Sequence, residues 1–306
     1  MKKLSYHLVD VFTDRAFGGN PLAVFTDGRG VSDAHMQAIA RELNLSETTF
    51  VLPPRNPKND FQVRIFTPTY EMPMAGHPTV GTAFVLAREG FVKSTGSENT
   101  VIFEEGVGPV PVSIGWSEGA PGFIEMRQPL PQFGPRFEDA GTVAELLSLE
   151  VRDIVETHLP MEVVSCGVPF LFVPINSVEA MAKIRFRAEM CERVLSGLAP
   201  GGGVFVFAKG GQFPGSDVHG RMFAPALGVL EDPATGAANG PLGCYLVRHR
   251  VLQSEGELRC VVEQGVEMGR PSFLHLAIAH ADGEITGVKV GGTCHYMGSG
   301  HLEIDA

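Results

Sequence analysis

Over the first hundred residues, apolar positions come in short runs that alternate with polar ones. YHLVDVF, NPLAVF, TTFVLPP, FQVRIFTP and NTVIFEEG are rich in β-branched and aromatic residues and are bounded by Gly, Pro and Asn turns. Each run predicts a strand. One segment departs from the period of two: in DAHMQAIARELNL, residues 33–45, Met36, Ile39, Ala40 and Leu43 recur at i, i+3, i+4 and i+7, with Ser32 or Asp33 as N-cap. That spacing predicts an amphipathic surface helix. PTVGTAFVLA, residues 78–87, is apolar nearly all round and predicts a helix enclosed by other structure.

The pattern then repeats. HPTVGTA at 77–83 matches DPATGAA at 232–238, and TFVLP at 49–53 matches VFVFA at 204–208, both 155 residues on. RIFTP at 64–68 matches RMFAP 157 residues on, GNPLAVF at 19–25 matches GVPFLFV after 148, and EGV at 105–107 matches QGV after 159. Five matches in one order predict an internal duplication. The expected fold is α+β, two pseudo-symmetric halves, each a mostly antiparallel sheet wrapped round a central helix. The boundary is expected in GWSEGAPG, residues 115–122. That gives a first half of 1–118, completed by the C-terminal strand 288–306, and a second half of 119–287.

Helix starts supply the candidate chemistry. Proline is tolerated at the first helical position because its missing N–H has no intrahelical partner there, and the residue before it is then the N-cap. By this rule the central helices begin at Pro78 and Pro233, with His77 and Asp232 as caps. Aspartate caps well and needs no further role; histidine does not, so the imidazole at 77 points to chemistry. Two such helix N-termini facing one cleft would offer free N–H groups and positive dipole ends to an anion. Gly76 and Gly236 would let a ligand approach the backbone, whereas Gly81 and Gly240 read as sites of helix-to-sheet packing. Glu47, in NLSETTF, falls opposite Gly202 in the repeat. A carboxylate present in one half alone suits a duplicated scaffold with a single active site; a solvated loop glutamate is the equal alternative.

Composition narrows the class. With 24 basic and 35 acidic residues the chain of 306 carries a net charge of −11 and lacks a basic cluster, which argues against a nucleic-acid partner. No apolar run is long enough to span a bilayer, and MKKLSYHLVDVF reads as a strand rather than a signal peptide, so a cytoplasmic protein is expected. The five cysteines are scattered and read as mostly reduced and buried. GGGVFVFAKGG, residues 201–211, leads into a strand rather than the helix a phosphate loop requires. CHYMGSGH, residues 294–301, lacks metal-ligand spacing, so a metal site is not expected, and the absence of the serine hydrolase elbow leaves that hydrolase chemistry without support.

HLVDVFTDRAFGGNPLAVF, LNLSETTFV, AGHPTVGTA, MFAP and EDPATGAANGPLG together resemble the phenazine-biosynthesis PhzF-like isomerases over essentially the full length. The resemblance implies the diaminopimelate-epimerase-like architecture and a cofactor-free relocation of a proton on a cyclic, unsaturated acid. It implies Glu47 as the proton-transferring carboxylate, His77 and Asp232 as its polar partners, and Asn20, Gly76, Gly236 and Ala237 around a small carboxylate substrate. It also implies a homodimer. Relatives that racemise with two facing cysteines have no counterpart here. Where the phenazine pattern has a serine after DPATG this sequence has Ala237, which puts the phenazine precursor in doubt as substrate. An amino-acid epimerase, and a binding protein that has lost turnover, remain the alternatives.

Overall fold

The computed structural model describes residues 2–199 and 202–305. The chain divides into two compact units, 1–127 with 291–306 and 128–290. In the first unit the strands are β1 (Lys2–Val11), β2 (Asn20–Phe25), β3 (Glu47–Leu52), β4 (Phe61–Phe66), β5 (Glu71–Met72), β6 (Glu98–Glu105), β7 (Gly108–Ser117) and β8 (Ala120–Gln128). Its helices are α1 (Asp33–Leu43) and α2 (Gly76–Arg88). The predicted linker 115–122 is the tip of the hairpin between β7 and β8.

In the second unit the strands are β9 (Gln132–Arg136), β10 (Glu162–Ser165), β11 (Pro169–Pro174), β12 (Gly203–Lys209), β13 (Val218–Ala224), β14 (Val229–Asp232), β15 (Glu257–Gln264), β16 (Ser272–Ala281) and β17 (Glu284–Gly292). Its helices are α3 (Ala140–Leu147), α4 (Arg152–Val155), α5 (Val178–Lys183), α6 (Cys191–Leu195) and α7 (Gly236–Arg248). The last strand, β18 (Cys294–Ile304), pairs antiparallel with β1 in the first unit.

One order of pairings recurs. In the first unit β1–β2 is antiparallel, β2–β3 parallel, β3–β4 and β4–β5 antiparallel, β4–β6 parallel and β6–β7 antiparallel. In the second, β10–β11, β11–β12, β12–β13, β13–β14, β13–β15 and β15–β16 follow the same senses. The pairing is therefore mixed, with antiparallel ladders outnumbering parallel ones in both units.

The ladders also correct the sequence repeat. Ile65 faces Met72 across β4–β5, and Met222 faces Asp232 across β13–β14, so the residue matched to Asp232 is Met72, 160 positions earlier. Helices α2 and α7 keep this spacing, each thirteen residues long and beginning with the glycine four places after that strand residue. The 155-residue match of His77 to Asp232 is thus out of register. Glu47 faces Leu22, and Gly203 faces Phe170, so Glu47 corresponds to Gly203 rather than Gly202.

Each long central helix is buried for a physical reason. Every residue of α2 from Gly76 to Ala87 is buried, and the helix packs against β1, β2, β3, β7 and β18. At Gly81 a Cβ would come within 2.6 Å of Val11 and 2.7 Å of Leu22. The missing side chain is what lets α2 press against β1 and β2. Gly240 in α7 is as tight, since a Cβ there would meet Gln128. Helix α1 follows its sequence signal, with Ser32 Oγ accepting from His35 N at 3.3 Å and Met36, Ile39 and Ala40 buried. Cys166, Cys191, Cys244 and Cys260 are free and buried. Among the described residues no helix is long and apolar enough to cross a membrane.

Candidate active site

Neither His77 nor Asp232 caps a helix. Helix α2 starts at Gly76, its N-cap position is Ala75, and His77 and Pro78 are its second and third residues. The difference from the expected start has a simple cause. The whole first turn has N–H groups without intrahelical partners, so proline is accepted at its third position as well as its first. Asp232 ends β14, and α7 starts at Gly236 with Thr235 in the cap position. A residue before proline is pushed to extended backbone, so Asp232-Pro233 closes a strand, as Met72-Pro73 does in the first unit.

In the first unit the structure brings Asn20, Glu47 and His77 together. Asn20 opens β2, Glu47 opens β3, and β3 lies parallel to β2. Thr49 and Thr82 share a hydrogen bond of 2.9 Å, which ties β3 to α2. Glu47 is two residues before Thr49 and on the same face of the strand, about 6.6 Å back along it. His77 is five residues before Thr82, about 7.5 Å back along the helix. The two elements run the same way, so the carboxylate and the imidazole meet: Glu47 Oε2 lies 3.2 Å from His77 Nε2.

The proton on His77 can be placed. Asn20 Nδ2 is 3.2 Å from His77 Nδ1, and an amide nitrogen only donates, so Nδ1 accepts and Nε2 carries the hydrogen. Burial holds the ring neutral by lowering its pKa to about 3. The contact with Glu47 is therefore a neutral N–H facing a carboxylate, close but off the axis of a formed hydrogen bond. Such contacts are often loose without ligand and tighten around substrate.

Tyr70 belongs to the same neighbourhood. Its hydroxyl pKa is raised, by burial first and by the charge of Glu47 second. Nothing in its local sequence marked it. The signal for Glu105 was present but unread: the EGV and QGV match pairs Glu105 with Gln264, and both are buried beside the start of a central helix.

In the second unit the predicted residues gather at the start of α7. Asp232 Oδ2 accepts from Thr235 Oγ1 at 2.5 Å. Gln264 clamps the same turn, donating to Asp232 O at 2.7 Å and Thr235 Oγ1 at 3.0 Å and accepting from Thr235 N at 3.1 Å. Gln128 donates to Gly236 O at 2.8 Å. Ala237, second in its helix, holds the place that His77 holds in α2, so the matched position is a methyl group. Among the described residues no group of three or more His, Cys, Asp or Glu side chains is placed to hold a metal ion.

Comparison with known proteins agrees with this frame. The PhzC-PhzF family, described as phenazine biosynthesis-like protein, matches residues 9–300. An uncharacterised isomerase of Mesorhizobium japonicum is 37% identical over 311 residues, covering 99% of this chain and 100% of its own. The trans-2,3-dihydro-3-hydroxyanthranilate isomerase of Pseudomonas aeruginosa is 37% identical over 289 residues, 94% of this chain and 95% of its own. A crystal structure of the Bacillus anthracis PhzF-family protein superposes with a TM-score of 0.90 at 29% identity, covering 99% of this chain and 100% of that one. The chain belongs to the phenazine biosynthesis-like PhzC-PhzF family, and it is an isomerase of that family.

Proposed function

We propose that the enzyme moves a proton between two carbons of a small unsaturated or cyclic carboxylic acid, with Glu47 as the group that takes the proton and returns it. The supporting observation is the approach of Glu47 Oε2 to the neutral Nε2–H of His77 at 3.2 Å. In the proposed cycle the carboxylate accepts a proton from a carbon next to the π-system, the electron pair shifts into conjugation, and the same carboxyl reprotonates another carbon. Bonds and charge balance without a cofactor. His77 stays neutral and supplies an N–H that steadies Glu47 while it is charged. Asp232, with Gly76, Gly236 and Ala237 at the helix starts, completes the proposed substrate contacts.

The Pseudomonas relative is named for trans-2,3-dihydro-3-hydroxyanthranilate, and a related dihydroaromatic acid is the substrate class proposed here. Ala237 offers no hydroxyl, so a substrate lacking that polar contact fits best. Epimerisation at an α-carbon would need a second acid/base group. The position that matches His77 in the second unit is Ala237, which offers none. The pairing order shared by the units supports a duplicated diaminopimelate-epimerase-like fold, and a homodimer belongs to the same proposal.

The test is Glu47→Gln, which preserves size and removes the ability to carry a proton. A panel of unsaturated cyclic carboxylic acids is first screened for solvent-deuterium incorporation by the parent. The variant should then lose on the order of 100- to 10,000-fold in exchange rate while binding the same acid. Exchange retained by the variant overturns the assignment of Glu47.

A further inference from the structure

Thr79, on the first turns of α2, presents a proton-counting problem. Its Oγ1 lies 2.7 Å from Ala75 O and 2.6 Å from Glu105 Oε1. A hydroxyl has one hydrogen, and a backbone carbonyl can only accept. If Thr79 gives its hydrogen to Ala75 O, the short contact with Glu105 requires a hydrogen on Glu105. If Thr79 gives it to Glu105, two acceptor oxygens are left facing each other at 2.7 Å.

The second unit solves the same problem with a different side chain. At the position matched to Thr79 stands Asn239, whose Nδ2 donates to Thr235 O at 3.0 Å and to Gln264 Oε1 at 3.0 Å. Its amide has two hydrogens for two acceptors. Thr79 has one, and Glu105 replaces Gln264. A second hydrogen is needed to make the two arrangements equivalent, and only the carboxyl of Glu105 can hold it.

We propose that Glu105 is a neutral carboxylic acid at neutral pH and a positioning residue for α2, its proton completing the hydrogen bonds that join Thr79 to Ala75 in the turn that carries His77. The surroundings agree. Glu105 is 6% exposed, and its Oε2 lacks a hydrogen-bond partner among the described residues, a position tolerable for a carbonyl oxygen and costly for a charged one. Glu105 borders a cavity of about 350 Å³ shared with Asp33, Arg55, Arg64, Glu71 and Glu104. The cations there are engaged: Arg64 grips Glu71 at 2.7 and 2.6 Å and Asp33 at 2.6 Å, and Arg55 acts on Glu104. Burial pushes the Glu105 carboxyl up to about 8, with the Thr79 hydrogen bond pulling the other way.

The folded-state pKa is raised from 4.5 to about 8, so the stabilisation is fully present below about pH 4.5 and is lost as pH rises through about 8. Loss of the proton frees Thr79 to turn toward Glu105 and releases Ala75 O, two residues before His77. The positioning role rests on the proposed place of His77 in the site; the protonation state does not.

Infrared spectra of the parent and of Glu105→Gln at about pH 7, in water and deuterated water, test the protonation state. The parent should show a neutral carboxylic-acid carbonyl band that shifts on deuteration and is missing from the variant. Thermal unfolding from about pH 5 to 9 should show the parent losing Tm relative to Glu105→Gln as pH rises. The double variant Thr79→Asn with Glu105→Gln, which copies the Asn239 and Gln264 pair, should fold and share that flatter profile. Ring-nitrogen NMR signals of His77 should move through about pH 8 in the parent and stay still in Glu105→Gln. Absence of the neutral-acid band, or parallel Tm profiles, overturns the protonation state. His77 signals that ignore the Glu105 titration overturn the positioning role. These readouts need no substrate, so failure to find a turned-over acid would count against the proposed function and would not bear on the proton held by Glu105.

Discussion

Thr49 and Thr82 hold each other's hydroxyls at 2.9 Å in a fully buried contact between β3 and α2. That bond sets the phase in which Glu47 meets His77. Thr82→Val leaves the Thr49 hydroxyl buried without its partner and should cost about 1–3 kcal/mol in chemical denaturation. Adding Thr49→Val removes the orphaned group as well. The double variant should recover part of the loss, which a double-mutant cycle measures. Equal penalties that simply add would show that the two hydroxyls are not coupled.

Asn20 decides which nitrogen of His77 carries the hydrogen. Asn20→Asp replaces a donor by an acceptor, so the ring hydrogen should move to Nδ1 and the His77 pKa should rise from about 3, where burial now holds it. Nε2 would then offer a lone pair to Glu47. The expected loss in exchange rate is on the order of 100-fold, with ring-nitrogen NMR reporting the changed tautomer. An unchanged tautomer in the variant would contradict the proton placement.

His219 gives the second unit a pH response of its own. It is fully buried in β13, with Nδ1 2.6 Å from Glu263 Oε1 and Nε2 3.0 Å from Glu267 Oε1. Burial lowers its pKa, and the two carboxylates overcome that and raise it to about 9. The stabilisation is fully present below about pH 6.5 and lost as pH rises through about 9. His219→Phe leaves Glu263 buried beside an apolar ring and should cost on the order of 3 kcal/mol near pH 7. The penalty should shrink toward about pH 10, a trend that Tm against pH checks.

Gly81→Ala should be destabilising although alanine favours helix. The added methyl meets Val11 and Leu22 at 2.6 and 2.7 Å, and α2 cannot retreat while Thr82 holds Thr49. A cost of about 1–3 kcal/mol in urea unfolding is expected. The companion change Leu22→Ala opens the space on one side and should reduce that added cost.

Much of this was written locally enough to read. Strand runs and the α1 face of Met36, Ile39 and Ala40 depend on neighbours a few places apart, and the EGV and QGV match needs only two short runs of letters to be compared. The register of the central helices was not, because His77-Pro78 and Asp232-Pro233 look alike as letters. One proline sits inside a helical turn and the other closes a strand, and only the ladders through Ile65 and Met222 tell them apart. Glu47 was legible as a carboxylate missing from the other half. Its approach to His77 was not, because that depends on the Thr49 and Thr82 contact across 33 residues of chain. Glu105 was visible only as a letter in a repeat, since its meaning is a count of hydrogens around Thr79.

Asn20 and Glu47 are the first residues of their strands, and His77 is the second of its helix. Behind them the same elements run on into Leu22, Phe50, Val80 and Phe84, which hold the unit together. The residues that build the core and those of the proposed site therefore occupy different stretches of the same three rods. A lineage can edit the tips and keep the shafts, so new substrates become accessible to mutation without a new fold having to be found.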